Sequence, residues 1–121
     1  MRHPNLPLLK QYKYPGPGPV SDWERALYRV MYERGLRPIP QFSVSPYWLD
    51  FAIIAGDRKL DIEVDGEMYH RDWNGTLMRR DRLRTQVLLE QGWHVIRFWV
   101  YELRDDIEGC VQRIVDWENN N

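Results

Sequence analysis

The chain of 121 residues contains a single cysteine, Cys110, and almost no net charge. One cysteine excludes an internal disulfide and a cysteine-based zinc cluster, so we expect a reducing, cytoplasmic location. No apolar stretch approaches the roughly 20 residues of a membrane span, and we expect neither a signal peptide nor a membrane contact. The net charge of −1 argues against a surface that binds polyanions all over, so any contact with nucleic acid must be local.

Proline is scarce except at the start of the sequence. Residues 1–20 hold five of the eight prolines, which predicts an extended arm that does not pack as an element. The remaining chain has the hydrophobic and charged content of an ordinary globular protein, 43% and 29% over the full sequence. We therefore predict a proline-rich arm over 1–20 and one domain over 21–118.

Apolar periodicity predicts the element order helix, three strands, helix, strand, helix. Ser21 and Glu24 match a capping box, which predicts a first helix from residue 21 to about 34. This order is typical of the α/β class, with a mixed four-stranded sheet flanked by helices and an extra helix at the carboxyl end. The strands are predicted over 39–44, 48–55, 59–64 and 93–101, the second helix over 77–91, and the last helix from about 105.

The second and third strands predict a hairpin with one acidic face. Apolar and polar residues alternate in both, and Gly56-Asp57 between them suits a two-residue II′ turn. If Ala55 faces Arg58 across that turn, the same register places Asp50 opposite Glu63. The predicted core face then carries Leu49, Phe51, Ile53, Leu60, Ile62 and Val64, and the other face carries Asp50, Asp61, Glu63 and Asp65.

The acidic face requires a compensating charge or full solvation. Cross-strand neighbours such as Asp50 and Glu63 would lie about 5 Å apart, where two like charges repel by about 3 kcal/mol at an effective dielectric near 20. A bound cation, a basic neighbour or a retained proton would relieve this repulsion. The alternative is that the carboxylates splay into water as an ordinary solvated strand face.

A basic cluster lies in the second predicted helix. Between His70 and Arg84 five arginines outnumber two aspartates, a local charge of +3. The cluster is either a ridge that grips DNA phosphates or a solvated helix face with its own ion pairs. Arg97, within an apolar strand, is expected to pair with a carboxylate. The candidate DNA-binding residues are Arg79, Arg80, Arg82 and Arg84.

Several short motifs, in a common order and with compatible spacing, resemble the PD-(D/E)XK nuclease superfamily. They look most like its branch related to the very-short-patch-repair endonucleases, and the likeness covers about residues 21–117. It implies a restriction-endonuclease-like αβββαβ core and metal-dependent cleavage of DNA. The motifs are Asp50-Phe51, Ile62-Glu63-Val64-Asp65-Gly66, Tyr69-His70, Arg80-Asp81-Arg82-Leu83-Arg84 and Gly92-Trp93-His94-Val95-Ile96-Arg97-Phe98-Trp99.

The resemblance implies a role for each of five residues. Asp50 and Glu63 would bind Mg²⁺, for which Mn²⁺ could substitute. Asp65 stands where the superfamily has lysine, and His70 would move protons in its place; Glu24 would approach the metal from the first helix. Three of these residues could instead have an ordinary structural role. Glu24 could serve only the capping box, Asp65 could cap a turn and His70 could lie on a polar surface.

The sequence thus predicts a Mg²⁺-dependent endonuclease that cuts or nicks DNA. A homodimer or a helicase partner could supply targeting, because a small and nearly neutral domain has little intrinsic affinity for DNA. The alternative is a non-catalytic nucleic-acid-binding or interaction module on a degenerate nuclease fold. This alternative remains because the chain lacks the lysine that the superfamily has at the position of Asp65. RNA as a substrate also stays open, because the sequence does not reveal recognition of a 2′-hydroxyl.

Overall fold

The computed structural model of the chain describes residues 22–66 and 75–120, with side chains from residue 82 onward in the second range. The proline-rich arm over 1–20, Ser21 and His70 lie outside the described residues. The elements are α1 (Asp22–Glu33), β1 (Ile39–Val44), β2 (Tyr47–Ala55), β3 (Arg58–Asp65), α2 (Gly75–Glu90), β4 (Trp93–Trp99) and α3 (Val100–Asn119).

The four strands form one mixed sheet in the order β1-β2-β3-β4. β1 pairs with β2 and β2 with β3 in antiparallel fashion, whereas β3 and β4 run parallel. A parallel pair needs a crossover connection, and α2 lies within the segment that joins these two strands. The predicted α/β class and the restriction-endonuclease-like core are confirmed.

Helices cover the two faces of the sheet. A larger core cluster joins α1 and α3 to one face, with Leu27, Phe51 and Ile114 fully shielded or nearly so. A smaller cluster on the other face includes Leu88 of α2 and Trp93 of β4. Because apolar area on both faces is removed from water, the strands between them are held rigidly. No helix within the described ranges combines the length and the apolar character that a membrane crossing requires.

The β2–β3 hairpin has the predicted register. Ala55 pairs with Arg58 across the turn, and Phe51 pairs with Ile62 farther along. Gly56 has a φ of 66°, the left-handed value that a II′ turn requires at this position and that glycine adopts without a steric penalty.

The expected position of Leu49 on the core face with Phe51 is wrong. Leu49 is fully buried, but it packs with Ala52, Leu88 and Trp93 on the face covered by α2. Gln41 of the neighbouring strand has a φ of 51°, between the pairs Pro40–Phe51 and Phe42–Leu49. A left-handed residue interrupts the regular alternation of a ladder, so side chains on either side of it need not share a face.

The carboxyl-terminal helix begins earlier than predicted and contains a kink. Strand β4 ends at Trp99 rather than at residue 101, because the Glu102 carboxylate accepts the Trp99 backbone N–H at 3.0 Å and starts a helical turn there. Asp106 has a non-helical φ of −159°, and its Oδ1 accepts the Gly109 N–H at 2.9 Å. The predicted start near residue 105 is therefore the beginning of the second segment of α3.

Candidate active site

Asp50 and Glu63 lie on neighbouring strands at the end of the hairpin away from the Gly56 turn. The two residues directly follow the last pair of the ladder, Phe51 with Ile62, in the direction away from the turn. The Asp50 side chain is directed at β3, because its Oδ2 accepts the Val64 backbone N–H at 2.8 Å. The two carboxyl groups interact electrostatically, as the sequence predicted.

Asp50 is held in an environment that disfavours its charge. Burial, the neighbouring Glu63 charge and Glu24 raise its pKa to about 8, against the opposing effect of the Val64 N–H. The free carboxyl group therefore retains its proton near neutral pH. A divalent cation at this position would favour the ionised form and displace that proton.

Glu24 comes from α1 and meets the same site. Its carboxyl group hydrogen bonds with that of Asp50, and its Oε1 accepts Gln41 Nε2 at 3.5 Å. Two carboxyl groups can share such a bond only if one of them is protonated. Three elements, α1, β2 and β3, thus bring Glu24, Asp50 and Glu63 into one acidic cluster.

Glu63 is the most enclosed of the three carboxyl groups. Its side chain is 9% exposed, and its Oε2 accepts Arg84 Nη2 at 2.8 Å. Burial, followed by the adjacent Asp61, raises the pKa of Glu63 well above its usual range, although the Arg84 guanidinium opposes this. The basic neighbour that the acidic face required is therefore Arg84.

Asp61 completes the acidic cluster, although the sequence predicted no functional role for it. It is fully buried, two residues before Glu63 on β3. Neither of its carboxylate oxygens accepts a bond from an N–H or hydroxyl donor among the described residues, and its carboxyl group lies close enough to that of Glu63 for the two to interact. Burial raises the pKa of Asp61 as well. The period-2 pattern placed Asp61 on this face, but burial there depends on the packing of α2.

Asp65 pairs with Arg97 of the adjacent strand. Arg97 Nε lies 3.0 Å from Asp65 Oδ2, and both side chains are about four-fifths buried. The expectation that Arg97 pairs with a carboxylate is confirmed. The role of Asp65 in positioning a metal stays a prediction, and this contact fixes its side chain beside the cluster.

The basic cluster of α2 is divided by the fold. Arg82 is exposed, whereas Arg84 is turned toward the sheet, where it also donates to the Trp48 carbonyl at 3.3 Å. Arg79 and Arg80 lie in the first half of α2, and their side chains are outside the described residues. His70 lies outside as well, so its predicted role in proton transfer is untested. Contact of these four arginines with DNA remains a prediction.

The side chains of the site carry oxygen donors of the kind that a hard cation prefers. Within residues 22–66 and 82–120, no group of three or more His, Cys, Asp and Glu side chains is arranged to hold a metal ion. Mg²⁺, however, needs only one or two protein carboxylates, with water and phosphate oxygens completing its shell. Asp50 and Glu63 are two such oxygen donors, and burial together with neighbouring carboxyl groups raises the pKa of each. The residues present fit a magnesium site.

A comparison with protein families agrees with this geometry. The family model described as REase_MTES_1575 matches residues 23–117, which extend from the first helix of the described fold to the last. The matched segment contains all four strands and every candidate residue described above. No curated protein matches the sequence.

Proposed function

The chain belongs to the REase_MTES_1575 family, a restriction-endonuclease-like family of nucleases, and from this membership we propose that it is a Mg²⁺-dependent endonuclease of the very-short-patch-repair-like type. Its reaction is hydrolysis of a phosphodiester bond in DNA, by a nick or a cut. The observation that carries the proposal is the convergence of Asp50 and Glu63, from adjacent strands, in a buried cluster of carboxyl groups whose pKa values are raised.

The acidic residues have distinct roles in this proposal. Asp50 and Glu63 hold the cation, for which Mn²⁺ substitutes. Glu24, hydrogen bonded to Asp50, and Asp65, fixed by Arg97, orient the surrounding water and carboxylates. When bound, the cation polarises the scissile phosphate and lowers the pKa of a water molecule. These four carboxyl groups lie on helix α1 and on the paired strands β2 and β3, so regular elements of the fold position them.

His70 is assigned to proton transfer. Hydrolysis requires a proton for the leaving 3′- or 5′-oxygen, and imidazole has an unperturbed pKa near neutrality. The position follows Glu63 and Asp65 by a few residues in the chain, just beyond the end of β3. This role compensates for the lysine that the wider superfamily has where this chain has Asp65.

Helix α2 is assigned to contact with the phosphate backbone of the DNA. Arg82 is exposed there, and Arg79 and Arg80 add two positive charges one turn earlier, so the helix can contact phosphates without reading bases. Arg84 extends the same charge toward the site. Because few such contacts are available, affinity from α2 alone is modest and salt-dependent, and a second copy of the chain or a helicase would supply the rest.

A plasmid-nicking assay tests the proposal. The full chain is expected to convert supercoiled DNA to the nicked or linear form in Mg²⁺ and not in EDTA. Asp50→Asn, which keeps the shape of the side chain, is expected to reduce the rate about a hundredfold or more, since removal of one electrostatic contributor to a transition state typically has this effect. DNA binding by Asp50→Asn, measured in parallel, is expected to be unchanged.

The second candidate function is a non-catalytic nucleic-acid-binding module. It is favoured by one observation, the Arg84 guanidinium already bonded to Glu63, together with the missing lysine. If the wild-type chain and Asp50→Asn bind DNA equally and neither cleaves it, the enzyme proposal is wrong and the binding module stands. The same assay on single-stranded RNA separates a ribonuclease from both.

A further inference from the structure

We propose that Arg84 is a resident cation of the active site, which releases Glu63 to a divalent ion by moving to Asp61. The inference rests on the proposed function, because it concerns the same Asp50–Glu63 pair. It assigns to Arg84 control of the metal affinity, in addition to any contact with DNA.

The first observation is the placement of the guanidinium. Arg84 Nη2 lies 2.8 Å from Glu63 Oε2, with the two side chains 17% and 9% exposed. The group also donates to the Trp48 carbonyl at 3.3 Å and lies 5.7 Å from the centroid of the Tyr47 ring. Arg84 is therefore seated against β2 and β3, and its bond to Glu63 is shielded from water.

The second observation is that this bond occupies one of the two oxygens of a carboxylate that a metal ion would share. A magnesium ion binds carboxylate oxygens at about 2.0–2.1 Å, and a guanidinium on the same carboxylate would lie a few ångströms from that ion. Two cations so close in a poorly hydrated site repel strongly. Withdrawal of Arg84 from Glu63 relieves this repulsion and strengthens binding of the ion.

The third observation identifies where Arg84 can go. Asp61 is fully buried on the same side of β3, and its oxygens accept no bond from a donor among the described residues. Asp61 already attracts the Arg84 guanidinium electrostatically. A buried carboxylate without a donor is costly, so a guanidinium that shifts from Glu63 to Asp61 satisfies both charges while Glu63 is occupied by the ion.

Metal titration of the full-length protein tests the exchange. Isothermal titration calorimetry with MnCl₂, without DNA, would compare the wild-type chain with Arg84→Gln. Removal of the competing cation is expected to tighten Mn²⁺ binding by about tenfold or more, the scale of coupling between groups in direct contact. Arg104→Gln, at an exposed position of α3 where the arginine pairs with Asp105, removes the same charge and is expected to bind Mn²⁺ as the wild type does.

Asp61 is tested in a double-mutant cycle. Asp61→Asn is expected to weaken Mn²⁺ binding when Arg84 is present, because the guanidinium then remains on Glu63. In the Arg84→Gln background the same change is expected to have a much smaller effect. Equal effects in both backgrounds would show that Asp61 acts only through its charge on the ion, and would overturn the exchange.

The remaining outcomes separate this inference from the proposed function. If the wild type binds Mn²⁺ and Arg84→Gln binds it no more tightly, Arg84 does not compete and the inference is wrong, while the metal site stands. If none of the folded variants binds Mn²⁺, the metal site and the inference both fail. Circular dichroism verifies folding; should Arg84→Gln not fold, Arg84→Lys replaces it, with a weaker hold on Glu63 and an expected affinity above that of the wild type. An affinity of Arg84→Lys at or below the wild-type value would overturn the inference.

Discussion

Glu63→Gln is expected to reduce Mg²⁺-dependent nicking by about a hundredfold or more, without abolishing folding. Glutamine matches glutamate in size but lacks the charge that a divalent ion requires of its ligand. Glu63 is also almost fully enclosed, and it is the acid bonded to Arg84. Loss of a charged group positioned at a reacting phosphate typically costs two to three orders of magnitude in rate. Initial rates on supercoiled plasmid, with protein folding verified by circular dichroism, measure the effect.

The matched control for this change is Glu33→Gln. Glu33 is an exposed residue near the end of α1 that contacts Arg29 at 3.8 Å, and α1 meets the site at its opposite end through Glu24. Such exposed pairs contribute little to stability, so nicking by Glu33→Gln is expected to equal that of the wild type. A Glu63→Gln protein that retained more than about a tenth of the wild-type rate would remove Glu63 from the catalytic machinery.

The metal-free protein is expected to become less stable as the pH rises from about 5 to 8. Burial, first of all, raises the pKa of Asp50 to about 8 from an ordinary value of 3.8, so in this interval the folded state binds a proton that the unfolded state has lost. The stability that this group contributes is therefore fully present below its pKa in the unfolded state, and it is lost as the pH rises through its pKa in the folded state. The free energy of unfolding falls by up to about 1.4 kcal/mol per pH unit for one such group. Glu63 and Asp61, whose pKa values are also raised, act in the same direction.

Urea unfolding in EDTA at several pH values measures this dependence. Asp50→Asn removes one of the titrating groups and is expected to flatten the slope. Asp105→Asn is the control, because Asp105 is exposed and pairs only with the neighbouring Arg104 at 3.2 Å in the described contacts; its profile is expected to follow that of the wild type. A free energy of unfolding that rose between pH 5 and 8 would show that these carboxyl groups are ionised in the folded protein.

Local sequence patterns were sufficient to predict the hairpin and its acidic face. Alternation of apolar and polar residues has a fixed period in a strand, and Gly56 fixes the turn, so the neighbours Asp50 and Glu63 follow from the chain alone. The position of Leu49 does not follow, because Gln41 in a different strand disturbs the alternation there.

Contacts between distant elements could not be predicted in the same way. The arginines of α2 are closely spaced in the sequence, and nothing local distinguishes Arg84, which turns toward Glu63, from Arg82, which faces solvent. The burial of Asp61 likewise arises only when α2 packs on the sheet. The end of β4 was predicted two residues too late, since residues 100–101 favour a strand by composition while the Glu102 side chain closes a helical turn on Trp99.

The most direct test of the central claim is a calorimetric titration of the metal-free protein with MgCl₂ at pH 8, beside Asp50→Asn. If Asp50 and Glu63 coordinate one ion together, the wild type binds Mg²⁺ with a dissociation constant in the micromolar to millimolar range. The variant is then expected to bind about tenfold more weakly or not at all, as the loss of one charged ligand implies. Equal affinity of the two proteins for Mg²⁺ would contradict the account.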